Sequence, residues 1–378
     1  MTKARDLADF LGNNTSLSTI NNAYAAGTLV PSSSNPNMVI NGDFRIDQRN
    51  SGATVNPTTS DYGIDRWKYS GAQGSNSYYT MEQSTDAPAG FSNSVLVTST
   101  TSSSPQGLYY VRTQFEGYDV AHLDYGTSDA KTTTVSFWVK ASGAGDYGFI
   151  LYNSNPPYNN YGTTYTVNVA NTWEYKTINI PANTLQVTAT GNVDSIRLSF
   201  PFGNNSSKPS ATNAWGTSGD IHTMSGVYDF LGTSGATLQL TGIKWEVGNE
   251  ATDFQHTPYG EELNRCKRYF QMYGGGSAYH SLGFLGSYNS STAAGFIELP
   301  VNMRAAPTGT ATGTFQASNG VVDQLVSFTL SGVTELDGTC KLIKTTAVGG
   351  LNRFTLGHTL RVRSQSDINA RVKFDAEL

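Results

Sequence analysis

The chain is predicted to be mainly β, with a short N-terminal helix, an antiparallel β-sandwich and a smaller C-terminal β-domain opened by a short helix. Three observations predict this. Charged residues make up only 14 % of the 378, against roughly 25 % in an average globular chain, and Thr, Ser, Asn, Gly and Tyr fill the gap. That mixture suits pleated faces and tight turns. Short runs alternate with period two, as in VSFWVKA, where Val135, Phe137 and Val139 share one face and Ser136, Trp138 and Lys140 the other. Turn clusters such as SGAGD, NSNPP and FGNNSSKPS punctuate the runs.

Residues 1–37 read as an anchor helix and linker. Thr2 can cap a helix over 1–12, Leu7 and Leu11 lie on one face, and Gly12 can end it. So short a helix is marginal alone. It needs identical copies or a docking partner; otherwise it is a frayed terminus. Pro31 and Pro36 break the Ser/Asn-rich stretch that follows.

Residues 38–257 carry about nine to eleven strands with no helix between them, the pattern of a sandwich. In this stretch Trp138, Trp173 and Trp245 fall inside strand patterns and are expected in the core, as are Phe44 and Trp67. Residues 258–378 open with PYGEELNRCKRYF, which places Leu263, Cys266 and Phe270 in helical register, and continue as further strands.

The formal net charge is −5, with 18 acidic and 11 basic residues over 38–257 and 9 acidic and 11 basic over 258–378. No basic field is present to attract nucleic acid. Cys266 and Cys340 show neither close pairing nor metal spacing, so no disulfide framework is expected. No stretch reaches the ~20 apolar residues of a membrane span. MTKARDLADFLG lacks an apolar signal core, so the expectation is synthesis in the cytoplasm without a signal peptide.

NMVINGDFRIDQRNSG followed by YGIDRW, then VSFWVKASGAGDYGFILYN, NTWEYKTINIP and LTGIKWEVGNEATDFQHTPYGEELNRCKRYF occur in that order. Together they resemble the carbohydrate-binding-module-like domain of bacteriophage tail-fibre and receptor-binding proteins. LPVNMRAAPT and the terminal FDAEL are similar to that family's distal domain, and KARDLADF to the start of marine tailed-phage fibres. The resemblance implies a jelly-roll sandwich and a homotrimeric virion component. It implies an N-terminus gripping phage tail adaptor or nozzle proteins through Leu7, Phe10 and Leu11, and contact with a host glycan such as lipopolysaccharide or with an outer-membrane receptor. Related sugar-binding jelly rolls hold a structural calcium, which would fall to Asp43 and Asp253; plain turn chemistry at Asn41, Gly42 and Asp43 is the other reading. No other cofactor is expected.

Sugar binding needs flat exposed aromatics beside polar groups. Tyr152, Tyr158, Tyr161 and Trp215, with Asn neighbours, read as loop aromatics of that kind. In the distal domain Tyr279, His280 and Tyr288 lie among flexible glycines. If LRVRS and ARVKF pair, Arg361, Arg363, Arg371 and Lys373 cluster; a solvated strand face is the alternative. A connector fibre that binds no receptor is the runner-up reading. A depolymerase is disfavoured, because Glu116, Glu174 and Glu246 stand isolated on strands and glycoside hydrolysis needs two carboxylates roughly 5–9.5 Å apart.

Overall fold

The computed structural model describes residues 36–70, 77–103, 107–203, 212–216, 224–287, 289–320, 323–329, 340–347 and 355–378. The expected anchor helix with Leu7, Phe10 and Leu11 lies outside the described residues, as does Tyr288. The chain divides into two compact units. One joins the residues up to Arg45 with Gly52–His256; the other joins Ile46–Ser51 with Thr257–Leu378.

The first unit is an antiparallel β-sandwich of jelly-roll type. One sheet has seven strands in the order β1 (Asp61–Ile64), β2 (Trp67–Tyr69), β5 (Tyr110–Glu116), β10 (Asp194–Pro201), β7 (Gly145–Asn153), β8 (Asn159–Val167) and β11 (Trp215–Gly216). The other has five: β3 (Tyr79–Ser84), β4 (Ser94–Ser99), β12 (Thr237–Val247), β6 (Thr133–Ala141) and β9 (Glu174–Ile180). A single helical turn, α1 (Gly117–Val120), follows β5.

Alternation decides which side chains are inward. Val135, Phe137 and Val139 are fully buried, and Phe137 packs edge-on to Phe200 of the opposite sheet, ring centroids 4.9 Å apart. Phe44 and Trp67 are core anchors as expected, 4.8 Å apart. Trp67 Nε1 donates to the Asn41 carbonyl at 2.9 Å, and Asn41 Nδ2 donates to the Asp65 carbonyl at 2.9 Å. These bonds tie the two segments together: each satisfies a buried carbonyl of the other. Gly42 serves close approach, since a Cβ there would lie 2.2 Å from the Ile243 carbonyl oxygen.

Of the three strand tryptophans expected in the core, only Trp245 is there, fully buried against Phe115 at 4.8 Å. Trp138 is half-buried on the outward face of β6, and Trp173, also half-buried, lies just before β9 and not within a strand. The cause is the alternation itself, which groups Trp138 with Ser136 and Lys140.

The second unit begins with α2 (Tyr259–Lys267). It carries a three-stranded sheet, β13 (Phe270–Gly274), β21 (Arg371–Asp375) and β16 (Thr308–Thr312). A closed six-stranded barrel completes it: β14 (Ser281–Ser287), β15 (Thr292–Glu298), β19 (Cys340–Ala347), β18 (Asp323–Thr329), β17 (Phe315–Ser318) and β20 (Thr359–Ser364). Closure leaves the barrel without an edge strand. Phe270 opens β13 rather than extending the helix, whose buried residues are Glu262 and Cys266.

The four-cation cluster does not form by strand pairing. LRVRS is β20 in the barrel, LRVRS pairs with β14 and β17, and ARVKF is β21, paired with β13 and β16. The acids near the chain end have another partner within this unit. Arg49 reaches Asp375 at 2.9 Å and Glu377 at 3.2 Å, with its guanidinium 3.8 Å over the Phe270 ring. That contact gives DFRIDQRNSG and FDAEL a shared physical purpose.

Candidate functional site

Three of the four aromatics read as loop residues are on strands of the seven-stranded sheet, and Tyr158 lies in the loop between β7 and β8. Tyr152 is on β7 and Tyr161 on β8, 3 % and 4 % exposed. The stretch YNNYG reads as a loop from its Asn and Gly, whereas TYTVNV reads as a strand; residues 159–167 all pair in register with β7. The Tyr161 ring turns into the core, its hydroxyl donating to the Asn179 carbonyl at 3.2 Å. Trp215 packs against the same core, 6.0 Å from Tyr161, and donates Nε1–H to the Pro181 carbonyl at 2.7 Å. Neither Tyr161 nor Trp215 therefore offers a free sugar platform. The neighbouring amides are also inward: Asn159 Nδ2 donates to Asn183 Oδ1 at 2.9 Å, and Asn153 Nδ2 to the Val187 carbonyl at 3.0 Å.

Tyr158 is different. It is 45 % exposed and stacks on Tyr152, centroids 5.8 Å apart at 25°. With Ser154, Asp194 and Arg197 the pair lines a cleft of about 460 Å³. In the second unit Tyr279 is 49 % exposed, with the Arg363 guanidinium 4.9 Å over its ring, and His280 is exposed, its backbone N–H donating to Ser364 Oγ at 2.8 Å.

The strongest aromatic arrangement lies on the outward face of the five-stranded sheet. Trp138 of β6 and Tyr175 of β9 are direct cross-strand partners, ring centroids 5.4 Å apart. Beside them Phe91, Phe254 and His256 form a triangle of rings at 5.0–5.2 Å. These residues, with Thr252 and Asp253, line a groove of about 530 Å³. Tyr175 is 46 % exposed. Polar groups edge the surface. Asp86 takes Lys140 Nζ at 2.6 Å and the Trp173 indole N–H at 3.2 Å.

Two features of β12 build the groove. A bulge between Thr241 and Lys244 contains Gly242 at φ 60°. A Cβ on Gly242 would sit 2.6 Å from Phe91 Cζ and 3.2 Å from Trp138 Cδ1, so the glycine makes room for both rings. Beyond the bulge, Lys244 and Glu246 are fully buried and ion-paired at 3.1 Å. Glu246 accepts the Thr252 N–H at 2.8 Å and its hydroxyl at 2.6 Å, while Lys244 donates to the Asp253 carbonyl at 3.1 Å and to the Thr252 hydroxyl. The pair fixes the segment that carries Thr252 and Asp253 along the groove.

Lys140 above all, with Trp173, holds the Asp86 carboxyl below the ordinary carboxylate range, partly opposed by burial. A depressed carboxyl contributes above its unfolded pKa and loses that contribution as pH falls through the lower folded value. Tryptophan emission is therefore expected to stay constant down to the ordinary Asp value of about 3.9 and to change only in more acid solution. Asp86→Asn should remove that acid step; a titration identical in wild type and variant would contradict the assignment.

The calcium reading does not fit. Asp43 Oδ2 is held by Arg45 Nε at 2.5 Å, with His256 Nδ1 at 3.5 Å, so its charge is already matched by a cation that would repel calcium. Asp253 is an exposed residue of the groove. Among the described residues no three His, Cys, Asp or Glu side chains converge, whereas Ca²⁺ takes six to eight oxygens.

No protein-family model matches the chain, and no curated protein matches it. Solved structures do. The CBM22-1 xylan-binding domain of Paenibacillus barcinonensis Xyn10C is 9 % identical, covering 57 % of this chain and 97 % of that one at TM-score 0.31. The N-terminal cellulose-binding domain of Cellulomonas fimi β-1,4-glucanase C is 14 % identical over 52 % of this chain and 100 % of that one, TM-score 0.30. The enzymatically active domain of bacteriophage CBA120 tailspike protein 4 is 10 % identical over 56 % of this chain and 21 % of that one, TM-score 0.29.

Proposed function

We propose that the chain binds glycans through the Trp138 groove without cleaving them, and that it does so as a homotrimeric phage tail-fibre protein attaching the virion to a host surface. The observation that carries the binding reading is the outward Trp138–Tyr175 pair lining a preformed groove with Thr252, Asp253 and His256. Flat rings cover the apolar face of a pyranose while the polar edge bonds its hydroxyls. The tail-fibre part rests on the ordered motifs from NMVINGDFRIDQRNSG to the terminal FDAEL.

A hydrolytic role is less well supported. Glu246 is committed to Lys244 and Thr252. Burial works to raise the Glu174 carboxyl, but hydrogen bonds from Lys176 and from the Val169 and Asn168 amides pull it down to about 2. A carboxyl so acidic is a poor proton donor near neutral pH.

Trp138→Ala is expected to weaken binding to the best oligosaccharide on a glycan array by roughly 30-fold, the scale of truncating a central aromatic anchor worth about 2 kcal/mol. Its melting temperature should stay near wild type, since the ring is outside the core. Calorimetry of both proteins checks this. Unchanged affinity in Trp138→Ala and Tyr175→Ala would refute the groove, and a monomer mass by light scattering would refute the trimer. Failure to bind any host glycan would favour a connector.

A further inference from the structure

On its outward face the seven-stranded sheet carries a row of three donor side chains, two of them with buried polar atoms that have no partner among the described residues. Strand register sets Lys68 of β2 directly opposite Arg112 of β5, and Arg112 directly opposite Ser199 of β10. Their chain neighbours Trp67, Val111, Leu198 and Phe200 belong to the sandwich core, so alternation puts these three side chains together on the other face. With strands about 4.8 Å apart, the row spans roughly 10 Å.

Arg112 is 6 % exposed and Ser199 1 %. The Nε and Nη1 of Arg112 and the Oγ of Ser199 are buried without a hydrogen-bond partner among the described residues. Lys68 is half-buried, and its ammonium lies 5.3 Å over the Tyr62 ring. Arg112 rests on Tyr110 at 4.3 Å. Two acids act on this row, Asp194 and Asp61; Asp194 Oδ2 is taken by Arg197 at 2.6 and 2.7 Å, while its Oδ1 is buried without a hydrogen-bond partner among the described residues. Burial first, then Arg112 and Arg197, lowers the Lys68 amine from its ordinary range, and burial lowers Arg112.

Like charges directly opposite on a sheet destabilise it, and a buried cation without a partner costs more than an exposed one. Methionines would fill the same volume without the repulsion. The row makes physical sense when an anion completes it. On β7 the position opposite Ser199 is Ile150, buried with Tyr152, Met224 and Val227, which closes one end with an apolar wall. The Tyr152–Tyr158 cleft with Arg197 offers a saccharide surface on this sheet.

We propose that Lys68, Arg112 and Ser199 form a binding site for an oxyanion, supplied as the carboxylate, sulfate or phosphate of an acidic saccharide or as the free inorganic ion. The oxyanion accepts an N–H bond from the Arg112 guanidinium, one from Lys68 and the Ser199 O–H. The site is on the opposite sheet from the Trp138 groove and stands independently of it.

The test uses the full chain, wild type and with Lys68→Met or Arg112→Met, titrated with inorganic sulfate, hexagalacturonate and neutral cellohexaose. Saturating anion is expected to raise the wild-type melting temperature by roughly 5 °C. Either substitution should weaken anion binding by about tenfold or more, the size of a lost charged hydrogen bond. Without ligand, Lys68→Met should melt no lower than wild type, because the repulsion is gone; it keeps the test informative if Arg112→Met folds poorly. Tighter binding of hexagalacturonate than of sulfate assigns a saccharide source, and equal binding the free ion. Cellohexaose binding, if seen, should be unaffected by both substitutions. The site is refuted if neither anion shifts wild-type melting, or if Lys68→Met binds anions as tightly as wild type.

Discussion

Glu246→Ala is expected to destabilise the first unit by about 3–5 kcal/mol, the cost of leaving a buried charge without its partner. Lys244 is fully buried, and its remaining contacts are the Asp253 carbonyl and the Thr252 hydroxyl. Removing Glu246 also frees the Thr252 N–H and hydroxyl that it binds. All five tryptophans, Trp67, Trp138, Trp173, Trp215 and Trp245, lie in this unit. Their fluorescence in urea therefore reports its unfolding alone, whatever the second unit does. Lys244→Met with Glu246→Met should be far milder than Glu246→Ala, since replacing both charges by apolar groups of similar volume is often near neutral. A double variant as unstable as Glu246→Ala would place the effect in packing instead. Because the pair anchors Thr252 and Asp253, the double variant should still lose glycan affinity, which separates the groove's geometry from the unit's stability.

The β class, the sandwich and the helix that opens the second unit are legible in the sequence, because period-two alternation and turn chemistry are local properties. Trp138 is legible too, in the grouping with Ser136 and Lys140, although a tryptophan in a strand is ordinarily a core residue. Tyr161 misleads for the opposite reason. Its Asn- and Gly-rich surroundings have turn composition, but Asn159 and Asn183 bond each other across segments, and no local pattern reveals a partner 24 residues away. Ile46–Ser51 joining the second unit is equally hidden, since Arg49 meets Asp375 over a separation of 326 residues. The bulge that shifts β12 from Leu240 inward to Ile243 inward shows in sequence only as a lone glycine, a weak sign that becomes strong once its neighbours are known.

Gly242→Ala tests that bulge and the groove together. The residue sits at φ 60°, where an L-side chain costs about 1–2 kcal/mol. The added Cβ would also meet Phe91 Cζ at 2.6 Å and Cε1 at 2.8 Å, a crowding worth about 1–3 kcal/mol where neighbours cannot yield. Phe91 is held by Phe254 and His256, so relief by rotating Phe91 disturbs the ring triangle and opens the groove. We expect a loss near 2–4 kcal/mol in urea titration, the sum of those two ranges less partial relaxation, together with a drop in oligosaccharide affinity comparable to that of Trp138→Ala. Adding Phe91→Ala should recover the crowding part and leave the backbone part, because the Cβ then has space. Gly242→Asn, which tolerates the left-handed region better, keeps the crowding and should still lose affinity. Wild-type stability and affinity in Gly242→Ala would mean that the bulge neither seats Phe91 nor shapes the binding surface.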